Sequence, residues 1–131
     1  MDLLQLESII TTQVKVRVTS KIGSNYPKLS FTNEISDVTP SFPNVFIQEI
    51  GNREIGNTLE NNTINAVFDS IQIVVTSNTS KSDVKAVSNA CILSMKELAF
   101  DKFAGPLYSK NNNIHRIDLR FRRAIGGGDK F

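Results

Sequence analysis

Residues 64–100 constrain the fold more than any other stretch. Ile71, Ile73 and Val75 alternate with Gln72, Val74 and Thr76, the period-two pattern of a strand with one apolar face. Ser77-Asn78-Thr79-Ser80 then breaks the pattern with turn-forming residues. Ser80 suits a helix N-cap, and Asp83 three residues later makes a weak capping box that sets a negative charge at the positive helix end. From there Val84, Val87, Cys91, Met95 and Leu98 recur at helical spacing, flanked by Ala90 and Leu93. Such a face needs a sheet to bury it, and the strand just before it is the nearest. The expected core is therefore Ile71, Ile73, Val75, Val87, Cys91, Met95 and Leu98.

A strand followed by a helix must belong to something larger. At 131 residues the chain is long enough for one domain with a sizeable core. Residues 2–22 show two patterns. Leu3, Leu6, Ile10, Val14 and Val18 fall on one helical stripe, with Gln5, Thr12, Lys15 and Arg17 largely opposite. Val14, Val16 and Val18 also alternate with Lys15 and Arg17, as in a strand. The stripe runs unbroken from Leu3, so a helix is expected, stopped by Gly23, Asn25 and Pro27.

The remaining segments read as strands and connections. Residues 28–35 form a short strand candidate with Leu29, Phe31 and Ile35 inward. Residues 36–44 are a loop, in which Pro40 and Pro43 hold the residues before them extended. Residues 45–50 resume as a strand, with Val45 and Ile47 on one face and Phe46 and Gln48 on the other. Residues 51–63, with Arg53, Glu54 and Glu60 among glycines and asparagines, read as a hairpin connection longer than closure needs, either an interaction element or a floppy loop.

After the central helix, residues 101–113 read as mostly irregular, with a turn at Gly105-Pro106. Leu107 and Tyr108 are a short strand candidate turning through Asn111-Asn112-Asn113. In the last strand Ile117, Leu119 and Phe121, with His115, face one way; Arg116, Asp118, Arg120 and Arg122 face the other. The expected fold is α+β: a mixed or antiparallel sheet of about four to five strands, with an N-terminal helix and one central amphipathic helix packed on it. Residues 1–125 make a single domain. Three glycines hold no fixed conformation unaided, so 126–131 is expected to be a flexible tail tipped by Phe131.

Chemistry is sparse in this sequence. His115 is the only histidine and Cys91 the only cysteine, so no internal disulfide can form. A Cys-His nucleophilic pair is conceivable if both meet in the core. A structural thiol carries more weight, because a reactive thiolate wants an exposed electropositive setting and Cys91 sits on a buried stripe. There is no Cys-x-x-Cys, no histidine pair and no calcium-loop spacing, so no metal or cofactor is expected. The glycine run precedes Asp-Lys-Phe, which is not a phosphate loop. Enzymatic activity is not expected. No basic leader or apolar run of about 20 residues points to secretion or a membrane, and without secretion the sequons at Asn61 and Asn78 are chance matches.

One surface stands out. Arg116, Arg120, Arg122 and the adjacent Arg123 crowd the last strand. Such a ladder can meet phosphates, which leaves a small nucleic-acid-binding module as the alternative function. Asp118 interrupts the row and the net charge is only +2, so a subunit contact or solvated face is the weightier reading.

The motifs in order carry a resemblance. Asn25-Tyr26-Pro27 is followed by Ser41-Phe42-Pro43-Asn44-Val45, then Thr58-Leu59-Glu60-Asn61. A strand from Phe68 ends in Val74-Val75-Thr76-Ser77-Asn78, and a helix closes on Met95-Lys96-Glu97-Leu98-Ala99-Phe100. Ile114-His115-Arg116 and Arg120-Phe121 complete the set. Across nearly the whole chain this resembles the tail terminator, or tail completion, proteins of long-tailed bacteriophages, as found in phages of Gram-positive hosts. The resemblance implies a small α+β virion protein forming a hexameric ring. It would cap the tail tube, end its elongation and offer the head-tail joining surface. Its partners would be further copies of itself, tail tube protein and head-tail connector proteins, with DNA only as cargo through the ring and no membrane. The start departs from that family in its valines and the end in its glycine run. Closed rings need two different complementary patches per subunit. The expected pair is an acidic loop (Glu49, Glu54 and Glu60, with Arg53) and the basic strand (Arg116, Arg120, Arg122 and Arg123).

Overall fold

The computed structural model describes residues 6–32, 41–55 and 66–126. The chain forms α1 (Leu6–Ile22), β1 (Ser30–Thr32), β2 (Asn44–Ile55), β3 (Ala66–Ser77), α2 (Lys81–Glu97), β4 (Asp101–Asn111) and β5 (Ile114–Gly126). The strands make one five-stranded mixed sheet in the order β1-β2-β3-β5-β4. Only β1 pairs in parallel, against β2; the rest of the ladder is antiparallel. The expected α+β class, with an N-terminal and a central helix on a mixed sheet, is what the chain adopts.

The alternation within each strand decides where the core lies. Val45, Val75 and Ile117 are one cross-strand row, and Ile47, Ile73 and Leu119 the next; all six are buried. Ile71 and Phe121 extend the same face. Ile10, Val14 and Val18 of α1 and Val84, Val87, Cys91, Met95 and Leu98 of α2 close over it as a single cluster. The helical stripe from Ile10 to Val18 therefore prevails over the rival strand pattern, while Leu3 lies outside the described residues. The two helices are also tied at the surface, where Lys21 (2.9 Å) and Arg17 (3.4 Å) reach Glu97. The Lys21 ammonium holds the Glu97 carboxyl below the usual carboxylate range.

Both ends of α2 are closed by local chemistry. Ser80 is the N-cap, its hydroxyl accepting from the Asp83 backbone N–H at 3.2 Å. At the other end the Phe100 N–H donates to the Met95 carbonyl (3.0 Å) and the Ala99 N–H to the Lys96 carbonyl (2.9 Å). This is a Schellman closure, with the apolar contact residues Met95 and Phe100 both buried. It holds Ala99 at φ 63°, the left-handed region.

Several expectations need correction. Leu93 does not flank the buried stripe: it is 54% exposed. Residues 51–55 are not a loop, because β2 continues through a bulge between Glu49 and Gly51 and pairs as far as Ile55 opposite Ala66. The short strand expected over 28–35 is confined to β1, with Leu29 and Phe31 packed half-buried on the core; Ile35 lies outside the described residues. Residues 101–111 are not irregular but a full strand, β4. Its hairpin with β5 turns on Asn112 (φ 51°) and Asn113 (φ 65°), the paired positive φ of a two-residue type I′ turn. β5 runs to Gly126, and 127–131 lie outside the described residues.

Candidate functional site: the open face of the sheet

No described helix lies over the face of the sheet opposite the core. Its centre is one cross-strand row: Phe46 on β2, Val74 on β3, Asp118 on β5 and Leu107 on β4. Val74 is buried at 8% exposure yet belongs to no part of the core cluster, whereas Leu107 is 66% exposed. Period-two alternation puts Val74 on the polar side, so its burial was not foreseeable from the strand alone. The rows on either side are mostly polar. Asn44, Thr76, Arg116 and Ser109 form one, and Gln48, Gln72, Arg120 and Ala104 the other. The face thus mixes apolar side chains with one ion-paired carboxylate at its centre and a mostly polar, arginine-bearing rim, a make-up compatible with a protein contact surface.

The arginines differ in state. Arg116 is spent within the strand: its Nε donates to Asp118 Oδ1 at 2.7 Å and Nη2 to Oδ2 at 3.3 Å. The two carboxylate contacts make a charge-assisted pair, which lowers the field Arg116 offers to a phosphate. The Arg122 guanidinium lies 5.2 Å from the Phe103 ring centroid, a cation-π arrangement beside a 42% exposed aromatic. Arg120 projects exposed between them.

Arg123 does not belong to this surface. It falls on the core side of β5, opposite the fully buried Asp69. Its guanidinium donates to the Leu98 carbonyl at 2.6 Å, so it caps the negative end of α2 rather than facing a partner. The signal was legible: 117, 119, 121 and 123 share parity. Arg53 and Glu54 stand on β2 opposite Phe68 and Val67, and Glu60 lies outside the described residues. The expected acidic loop is thus partly strand.

The edges of the sheet are unequal. β1 has three residues. β4 has eleven, but its register slips twice, between Lys102 and Ala104 and between Ala104 and Leu107. Gly105 (φ 88°) sits where any Cβ would collide with the Asp118 carbonyl, and Pro106 has no N–H to donate. Bulges, proline and the lysines Lys102 and Lys110 are devices that discourage strand-to-strand addition. Contact through this region therefore favours side chains over an added strand.

The two residues considered for nucleophilic chemistry have separate settings. Cys91 is fully buried, and burial pushes its thiol up to about 12. His115 Nδ1 shares a 2.8 Å hydrogen bond with Tyr108 Oη, and Lys81 Nζ lies 4.4 Å from the Tyr108 ring centroid. Among the described residues no group of His, Cys, Asp or Glu could hold a metal ion, and no helix is long and apolar enough to cross a membrane. The sequence matches no protein-family model and no curated protein.

Proposed function

We propose that the chain is a structural subunit of a long-tailed bacteriophage virion, a tail terminator that assembles as a hexameric ring on the head-proximal end of the tail tube. It would act by contact alone, ending tube elongation and presenting a joining surface to the head-tail connector proteins. Further copies and tail tube protein are the other partners, and DNA passes through only as cargo. The observation that carries the reading is the sheet face away from the core, where Phe46, the buried Val74, the ion-paired Asp118 and the exposed Leu107 lie in one cross-strand row between rows that carry Arg116 and Arg120. A face of that make-up suits a subunit that completes its burial in an assembly. The resemblance of the ordered motifs to those of tail terminators supports the particular assembly.

The nucleic-acid reading draws less support from the same face. Arg116 is already paired with Asp118, and Arg123 serves α2. The experiment is mass measurement in solution with negative-stain imaging, alone and mixed with tail tube protein. Six-fold rings seated on tube ends are expected. A chain that stays monomeric and leaves tube length unchanged would overturn the proposal, and salt-sensitive DNA binding by that monomer would favour the alternative.

A further inference from the structure

The β4 edge of the open face holds apolar side chains out into solvent. Lys102 pairs with Phe121 and Leu107 with Asp118, so five steps along β4 span three along β5, and the surplus is taken up in bulges on either side of Ala104. The second bulge depends on Gly105, at φ 88°, where any Cβ would collide with the Asp118 carbonyl. The product is an apolar run in which Phe103 is 42% and Leu107 66% exposed, with Pro106 exposed between them. A run brought together by bulges differs from the single apolar side chains that any surface carries. The charges around it are unequal. Arg116, Arg120, Arg122 and Lys102 surround it with two carboxylates, Asp101 and Asp118. Asp118 is held by Arg116 at 2.7 Å, and Asp101 lies across the ladder from Arg122, so Arg120 and Lys102 are the cationic surplus.

We propose that the Phe103–Leu107 run docks an amphipathic helix of a partner protein, one whose apolar stripe is flanked by Asp and Glu. A helix is the element that covers a sheet face, and no described helix lies over this one. The bulges and Pro106 deny an added strand the register it would need. The cationic surplus calls for an acidic partner, and the fixed carboxylates select among acidic partners. A helix can set discrete carboxylates opposite Arg120 and Lys102 and stay clear of Asp101 and Asp118. A phosphate backbone or an anionic lipid surface carries charge along its whole extent and would be pressed against both carboxylates, where like charges are costly. Arg122 is already held against the Phe103 ring, which leaves a polyanion fewer cations to meet. The apolar run gives the contact its affinity, and the flanking charges give it orientation. The contact rests on the reading of the open face as a contact surface, and it needs no ring.

The test is selection against the immobilised full chain from a library of helical peptides randomised on the stripe and its flanks. Recovered peptides should carry leucine or an aromatic residue on the stripe and Asp or Glu beside it. They should bind Leu107→Asp and Arg120→Glu at least about tenfold more weakly than the parent, as loss of a central apolar contact or a reversed charge does. Both variants should melt close to the parent, since both residues are exposed. Recovery of lysine-flanked or uncharged peptides, of peptides indifferent to both substitutions, or of none would overturn the proposal. Oligo(dT) and vesicles of phosphatidylcholine with phosphatidylglycerol are titrated in parallel. Binding of either that is lost in Arg120→Glu would assign the run to phosphates, and self-association lost in Leu107→Asp would assign it to a second copy; each would overturn the helix. Acidic peptides recovered on a chain that forms no rings would keep this contact and sink the ring. Rings formed equally by the parent and both variants, with no acidic peptide recovered, would do the reverse.

Discussion

Ala99→Gly tests the closure of α2 with a magnitude that can be worked out beforehand. Ala99 follows the C-cap at φ 63° and is held there by the Lys96 and Met95 carbonyl bonds around it. A left-handed L-residue costs about 1–2 kcal/mol. Glycine removes that cost but loses about 0.5–1 kcal/mol through its freer unfolded chain. The Ala99 side chain is exposed, so no cavity enters the sum. The net is a gain of about 0.5–1 kcal/mol, a rise of about 2–4 °C in melting temperature for a domain this size. Denaturant melts of the parent, Ala99→Gly and Ala99→Val should rank glycine first and valine last, because a β-branched side chain fits the left-handed region worse than alanine. A glycine variant less stable than the parent would refute the reasoning. The backbone at 99 would then not be left-handed, or the closure would not limit stability.

Other consequences are as direct. Leu98→Ala should cost about 2–5 kcal/mol, since Leu98 is 3% exposed within the core cluster, whereas Lys85→Ala on the outer side of α2 should change stability by under about 0.5 kcal/mol in the same urea titration. Arg123→Met keeps the apolar stem and removes the bond to the Leu98 carbonyl; a loss of about 1.5–3 kcal/mol is expected, against near neutrality for Arg120→Met. For Cys91 the folded thiol lies at about 12, above its ordinary 9.0. The native state therefore keeps its proton longer than the unfolded chain, and stability falls as pH rises from about 9 toward 12, at up to about 1.4 kcal/mol per pH unit. Denaturant midpoints at pH 8, 9.5 and 10.5 should fall more steeply in the parent than in Cys91→Ala, where only other groups such as the raised Tyr26 hydroxyl still contribute, and the variant also costs about 1 kcal/mol at pH 8. Equal slopes would mean that the thiol is not buried as a neutral group.

The legible parts of this chain were those where one face is wet and one dry. Ile117, Leu119 and Phe121 announce β5 by parity, and Ser80 with Asp83 marks the start of α2. β4 is exposed along almost its whole length, so no alternation marks it, and Gly105-Pro106 reads as a break rather than a bulge. The extension of β2 was hidden by Gly51 and Asn52, poor strand formers that the partner strand overrides. Arg123 adjoins Arg122 in sequence, but it shares the parity of Ile117, Leu119 and Phe121, which points it inward. Of the candidate surface, the sequence shows the arginines but not the row in which Phe46, Val74 and Leu107 fall with Asp118. Phe46, Val74 and Leu107 lie in three separate strands, and only the strand order brings them together.

The same strand order bears on how quickly the chain can reach its native state. The β2–β3 and β4–β5 pairs are local hairpins, and the second has a turn fitted to its twist. Hairpins of that kind form in about 1–10 μs. The β3–β5 seam that joins them is different, since Ser77 must find His115 with all of α2 and β4 lying between. Closing so long a loop costs entropy before any contact in the seam offsets it. The rate-limiting step should be the docking of two preformed halves with α2 as the hinge between them. Substitutions along the seam, such as Ile73→Val or Leu119→Ala, and changes at the preformed turn of Asn112 and Asn113 should both slow refolding, the turn with little effect on unfolding.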